Sequence, residues 1–220
     1  MKSHSSPPPS LRAALRAHLA AGAAELRVAL ETAQVERLLD YIELLARWNA
    51  TYNLTAVRDI DAMVTRHLLD SLAVAPHVCG KTLVDLGTGP GLPGIPLAVL
   101  DEGRSVTLVD SNGKKTRFLR EAVRVLGLHN ARVEQARAED LEGQFDCVVA
   151  RAFASIEAFL RLGGHLLAPQ GVCLAMKGQL DNDEIGALPA GFAVEKIVPL
   201  TVPGLGAARH VVIIRHSGAI

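Results

Sequence analysis

The residues best placed to do chemistry stand at the ends of short apolar runs. The clearest case is Thr82-Leu83-Val84-Asp85-Leu86-Gly87-Thr88-Gly89-Pro90-Gly91-Leu92-Pro93-Gly94. Its opening, apolar and β-branched, suits a buried strand. A carboxylate, Asp85, comes at the end of that strand, and the glycines after it allow positive φ and the approach of a ligand where a Cβ would block it. Pro93 then opens a helix over Ile95–Leu100, where a missing first-turn N–H costs nothing. Strand, glycine turn and helix N-terminus in that order make a pocket for a nucleotide-like cofactor.

Two cofactors compete for this pocket. Gly89-Pro90-Gly91-Leu92-Pro93-Gly94 fits the dinucleotide fingerprint G-x-G-x-x-G, and Asp110 lies near the usual ribose-binding distance beyond it. Read from Asp85, the pattern D-x-G-x-G-x-G resembles motif I of class I S-adenosylmethionine (SAM) methyltransferases. There the strand-end acid lies near the methionine end of the cofactor and the glycines make room for it, which assigns Asp85, Gly87 and Gly89. A pyrophosphate is best met by neutral N–H groups, so the added carboxylate favours the sulfonium cofactor. A tight turn holding no ligand is the plainer alternative.

Other strand ends add walls to the pocket. Asp110 closes Ser105-Val106-Thr107-Leu108-Val109 and can accept from both hydroxyls of a ribose, or cap the helix that begins near Asn112. Ala138 and Glu139 follow the third strand and resemble an adenine site, where a backbone amide and a carboxylate read the ring edge. Arg151 and Phe153 follow the fourth; Arg151 suits a cofactor carboxylate or an RNA phosphate. No N/D-P-P-Y motif stands there, which argues against an adenine-N6 or cytosine-N4 enzyme. His67, Asp70 and Ser71 are close in sequence but diverge around a helix, so a catalytic triad is not expected. No catalytic residue is assigned.

Lysine plus arginine equals aspartate plus glutamate, 23 each, whereas a chain held to nucleic acid by bulk charge is basic overall. Any RNA contact must therefore be local. Arg117, Arg120 and Arg124 stack at helical spacing as a phosphate track or a solvated face. Lys177 and Arg209 (with His210) are further RNA-facing candidates on strand ends. Cys79, Cys147 and Cys173 form no CxxC pair, and no metal site is expected. No apolar run reaches the roughly 18 residues of a membrane span. Residues 1–10 lack a signal-peptide core and read as a disordered lead-in, so a cytoplasmic protein with free thiols is expected.

These residues need a scaffold to hold them. Apolar periodicity predicts helices over Leu11–Leu30, with a possible break at Gly22, over Gln34–Trp48, and from about Asp61 to Ala75 capped by Asp59 or Asp61. Strands are expected at 82–86, 105–110, 132–136, 145–150 and 171–176, with helices at 93–101, 113–126 and 154–167 between them. That alternation implies a doubly wound, mostly parallel sheet of α/β class. Phe192–Leu200 and His210–Ile214 lack an intervening helix and must pair antiparallel. A parallel sheet ending in such a hairpin resembles the class I SAM-methyltransferase (Rossmann-like) fold. The expected division is an N-terminal helical segment over 11–60 and a methyltransferase domain over 61–220.

Several blocks resemble one family: Arg47-Trp48-Asn49, Tyr52-Asn53-Leu54-Thr55-Ala56-Val57-Arg58, Arg66-His67-Leu68-Leu69-Asp70-Ser71, Gly87 through Pro96, Arg151-Ala152-Phe153-Ala154-Ser155 and Lys177-Gly178. They look like the RsmG family (GidB), bacterial 16S ribosomal RNA guanine-N7 methyltransferases, over about residues 35 to 215. The first thirty residues follow the family poorly. The resemblance implies methyl transfer from SAM to N7 of guanine 527 in the 530 loop, on free 16S ribosomal RNA or the small ribosomal subunit. It puts cofactor contacts on Gly87, Leu92, Ala138, Glu139 and Arg151; no obligate protein partner is implied, and a monomer is expected. Guanine N7 carries no proton, so the task is orientation and no general base is needed. A small-molecule SAM methyltransferase, an NAD(P) oxidoreductase and a non-catalytic RNA-binding module are the alternatives.

Overall fold

The computed structural model describes residues 9–151, 153–180, 182–186 and 188–218. Most of the expected lead-in therefore lies outside the described residues; Pro9 and Ser10 already belong to α1 (Pro9–Glu25). That helix does not break at Gly22. A Cβ there would stand 2.4 Å from Leu69 Cδ1, so packing demands the glycine, not a bend. α2 (Thr32–Tyr52) outlasts its expected end and stops at Asn53, which caps it in the left-handed conformation (φ 52°). The Asn49 side chain donates to the Val57 carbonyl and accepts from the Thr55 amide, pinning the turn beyond the helix.

The third predicted helix is divided. α3 (Ile60–Met63) is capped by Asp59, whose side chain accepts from the Ala62 amide at 2.7 Å. The chain then widens into a π-helix over Val64–Leu69 and returns as α4 (Asp70–Leu72). β1 (Thr82–Leu86), α5 (Gly94–Leu100), β2 (Ser105–Val109), α6 (Gly113–Val125), β3 (Ala131–Glu134) and β4 (Phe145–Arg151) fall where the alternation puts them. α7 (Ile156–Gly163) is shorter than expected, because Gly164–Leu166 tighten into a 3-10 turn and β5 (Leu167–Lys177) starts early. A short α8 (Asn182–Gly186), unforeseen in the sequence, precedes β6 (Phe192–Pro199) and β7 (His210–His216).

One seven-stranded sheet runs β3-β2-β1-β4-β5-β7-β6. β1 to β5 pair in parallel, while β7 inserts antiparallel between β5 and β6. Alternate strand residues serve opposite faces. Leu83, Val106, Cys147 and Leu174 join the core shared with α1 to α6, and Val84, Val109, Val148 and Cys173 face the α7 side. The order reverses at β1, flanked by β2 and β4, and that switch point is where open α/β sheets bind ligands. All three cysteines are free thiols, and no helix of the described residues is long and apolar enough to cross a membrane.

Candidate functional site

The turn after β1 is built around a buried carboxylate. Asp85 is fully buried, and its Oδ2 accepts from the Thr88 hydroxyl and from the Gly94 amide at 2.7 Å. Its other oxygen, Oδ1, has no partner among the described residues. Burial pushes the carboxyl up to about 7, against the pull of Thr88, Gly94 and Arg151. Asp85 thus organises the turn from behind and does not line the cleft in front. Gly87 and Gly89 have φ of +63° and +62°, the left-handed region where a Cβ is strained. The Gly89 amide donates to Asp110 Oδ2 at 3.0 Å, tying the turn to the end of β2. Lys115 Nζ also donates to that oxygen, at 3.3 Å. Asp110 does not cap α6: it accepts from the Asn112 amide, and Asn112 makes the cap by accepting from the amides of Lys114 and Lys115.

A cleft of about 360 Å³ opens beyond the carboxyl ends of these strands, and Gly87, Asp110, Ala138, Glu139 and Phe153 line it together. A Cβ on Gly87 would come within 3.3 Å of Phe153 Cε2, and that ring packs tilted on Phe159 with centroids 5.5 Å apart. Leu92 is buried, with its amide on the Thr88 carbonyl, so like Asp85 and Gly89 it shapes the turn from within. Lys115 also lines the cleft. In the sequence it reads as one more cation of α6, although its place about one helical turn past Asp110 was the available signal.

The other candidates are not among the residues that line this cleft. Arg151 Nη1 donates to Asp70 Oδ2 and to the Arg66 carbonyl, each at 3.1 Å. Arg209 Nε donates to Asp70 Oδ1 at 2.8 Å. These two arginines, carried by different strand ends, meet on an aspartate whose side chain is 2% exposed. Lys177 is paired with Glu184 at 2.7 Å. Arg117, Arg120 and Arg124 form an exposed face of α6, with Arg124 paired to Glu121. Arg117 and Lys114 also border a second depression of about 520 Å³ beside Tyr52.

His67 and Ser71 make no triad with Asp70. His67 Nε2 lies 3.0 Å from Thr55 Oγ1, and burial lowers the ring to about 4, so it is neutral. Ser71 Oγ is buried without a partner among the described residues, and Asp70 is taken by the arginines. Among the described residues no cluster of three His, Cys, Asp or Glu is arranged for a metal.

Residues 34–212 match the family model GidB, described as rRNA small subunit methyltransferase G. The chain is 56% identical over 204 residues to "Ribosomal RNA small subunit methyltransferase G" of Stenotrophomonas maltophilia (strain K279a), covering 92% of this chain and 95% of that protein. It is 56% identical over 190 residues to the protein of the same name from Xanthomonas euvesicatoria pv. vesicatoria (strain 85-10), covering 86% and 90%. Among solved structures, a SAM-dependent methyltransferase from Aquifex aeolicus superposes with a TM-score of 0.53 at 18% identity, over 67% of this chain and 90% of that one. TrmN from Thermus thermophilus gives 0.55 at 22% identity, over 70% of this chain and 53% of that one. At such identities the structures speak for the fold alone, which is that of class I SAM-dependent methyltransferases.

Proposed function

The chain belongs to the GidB family, and from that premise we propose that it methylates N7 of guanine 527 in the 530 loop of 16S ribosomal RNA, with SAM as donor. The observation that carries this reading is the cleft at the strand ends, where Gly87, Asp110, Ala138 and Glu139 line one space. Its donors and acceptors fit the cofactor. Gly87 leaves room that a side chain would fill, and Asp110 presents a carboxylate to a ribose. Ala138 and Glu139 offer an amide and a carboxylate to an adenine edge. Arg151 Nε and Nη2 have no partner among the described residues and suit a carboxylate or phosphate. When bound, SAM supplies an electrophilic methyl group on sulfur.

The protein's own part is orientation. N7 of guanine offers an in-plane lone pair and has no proton to lose, so none of these side chains serves as a base. That agrees with a neutral, enclosed His67 and an enclosed Asp85. Phe153, on the cleft wall, offers a face on which the splayed guanine stacks. Arg117, Arg120, Arg124, Lys177 and Arg209 are the candidate RNA contacts; Lys177 must first leave Glu184. The substrate is 16S RNA, free or within the small subunit, met by a cytoplasmic monomer whose residues 61–220 form the methyltransferase domain and 11–60 its helical extension.

Labelled SAM and small-subunit RNA from cells lacking this protein test the reading. Label recovered as 7-methylguanosine from one site is the expected result. SAM binding without transfer to naked RNA or to the subunit would instead direct the search to a small-molecule acceptor.

A further inference from the structure

We infer that Tyr52, Lys114 and Arg117 form an RNA subsite beside the cofactor cleft: Tyr52 stacks the base of a nucleotide flanking the target guanine, and the two cations hold its phosphate. This rests on the RNA-methyltransferase reading above and adds to it a place for the strand outside the cleft.

An aromatic ladder ends at this surface. Tyr41 and Phe118 are fully buried, with ring centroids 6.4 Å apart. Trp48 meets Phe118 edge-on at 5.6 Å, and the Tyr52 ring lies 5.2 Å from that of Trp48. Tyr41, Trp48 and Tyr52 share one stripe of α2, whereas Phe118 comes from α6. Tyr41 is a core tyrosine, its hydroxyl donating to the Pro90 carbonyl at 2.9 Å. Tyr52 instead stays 37% exposed; it and Val125 are the large apolar side chains left exposed among the described residues. A ring held from behind by Trp48 offers a base a stacking surface that needs little further ordering.

Charge completes the depression. Tyr52, Asn112, Gly113, Lys114 and Arg117 line about 520 Å³, and each of them is neutral or basic. Lys114 and Arg117 are exposed, and neither side chain has an ion-pair or hydrogen-bond partner among the described residues. Arg124, further along α6, is neutralised by Glu121, the pattern of a solvated face. An aromatic face beside unpaired cations suits single-stranded RNA, whose bases stack and whose phosphates meet lysine and arginine. The depression also adjoins the cleft. Asp110, Ser111 and Lys115 line the cleft, and Asn112, Gly113 and Lys114 between them line the depression. One short turn divides the two spaces, so a strand whose guanine is splayed into the cleft carries a flanking nucleotide across it.

The test compares Tyr52→Leu, Tyr52→Phe and Lys114→Glu with the wild type. The readouts are KM toward small-subunit RNA from cells lacking this protein, binding of labelled SAM in equilibrium dialysis, and melting temperature. Tyr52→Leu is expected to raise the KM about tenfold, the loss of one stacked base. Tyr52→Phe is expected to keep the wild-type KM, because the ring face and not the hydroxyl makes the contact. Lys114→Glu reverses a charge in the depression while placing an acid in the first turn of α6, which favours the helix. It too should raise the KM about tenfold, in a protein that melts no lower than wild type. SAM binding stays the same throughout. An unchanged KM in a folded Tyr52→Leu protein, a Tyr52→Phe protein as impaired as Tyr52→Leu, or SAM binding that weakens along with RNA overturns the inference while leaving the function intact. If Tyr52→Leu does not fold, Lys114→Glu decides, and an unchanged KM there overturns the inference. A wild-type protein that transfers no methyl group to this RNA overturns the function and this inference with it.

Discussion

Asp85→Asn should change the pH dependence of stability in a defined direction. In the fold the Asp85 carboxyl is pushed up to about 7, from an ordinary value of 3.8, chiefly by burial. Between those values the unfolded chain has lost its proton and the folded protein has kept it, so stability falls as pH rises through this window. Complete above pH 7, that loss is about 4 kcal/mol at about 1.36 kcal/mol per pH unit. Asparagine has the same shape. Its carbonyl can accept from Thr88 and Gly94 as Oδ2 does, and its amide falls where Oδ1 has no partner among the described residues. An unsatisfied buried amide costs about 1–3 kcal/mol. The variant is therefore expected to be less stable than wild type at pH 4 and more stable, by about 1–3 kcal/mol, at pH 8.

His67 complicates the wild-type curve alone. Burial lowers it from 6.5 to about 4, so its contribution is present above pH 6.5 and is lost as pH falls toward 4. Over most of the window the two groups oppose each other, and the wild-type profile looks flatter than either contribution. The difference between variant and wild type removes His67. Urea unfolding of both proteins from pH 4 to pH 8 measures it. A difference that stays level across the window would refute the proton held on Asp85.

Other substitutions probe other parts of the molecule. Gly22→Ala should destabilise by about 1 kcal/mol in urea unfolding: the gain in helix propensity of about 1 kcal/mol is outweighed by a Cβ 2.4 Å from Leu69 Cδ1 in a close-packed core. A more stable variant would mean that Leu69 yields freely. Phe153→Ala should raise the KM for RNA about tenfold through loss of stacking, and unchanged RNA turnover would remove Phe153 from the target site. Arg117→Ala with Arg120→Ala should weaken RNA binding and flatten its salt dependence by about one to two contacts in a filter-binding titration. An unaltered salt slope would leave α6 a solvated face.

Much of this protein is legible in its sequence because local chemistry and tertiary structure agree there. The glycine turn after Thr82–Leu86, the alternation of strands with helices and the helix-free tail each come from periodicity and backbone freedom, and the sheet order honours them. The convergence of Gly87, Asp110, Ala138 and Glu139 on one cleft has the same origin, since parallel strands bring their carboxyl ends to one edge. What sequence spacing cannot encode is which distant groups share a buried space. The distance between Gly22 and Leu69 and the enclosure that raises Asp85 depend on how elements pack. Above all, Asp70 reads as an ordinary helical carboxylate. Only the π-helix turns it toward Arg151 and Arg209, because a single extra residue in a turn redirects a side chain without leaving a mark in the hydrophobic pattern.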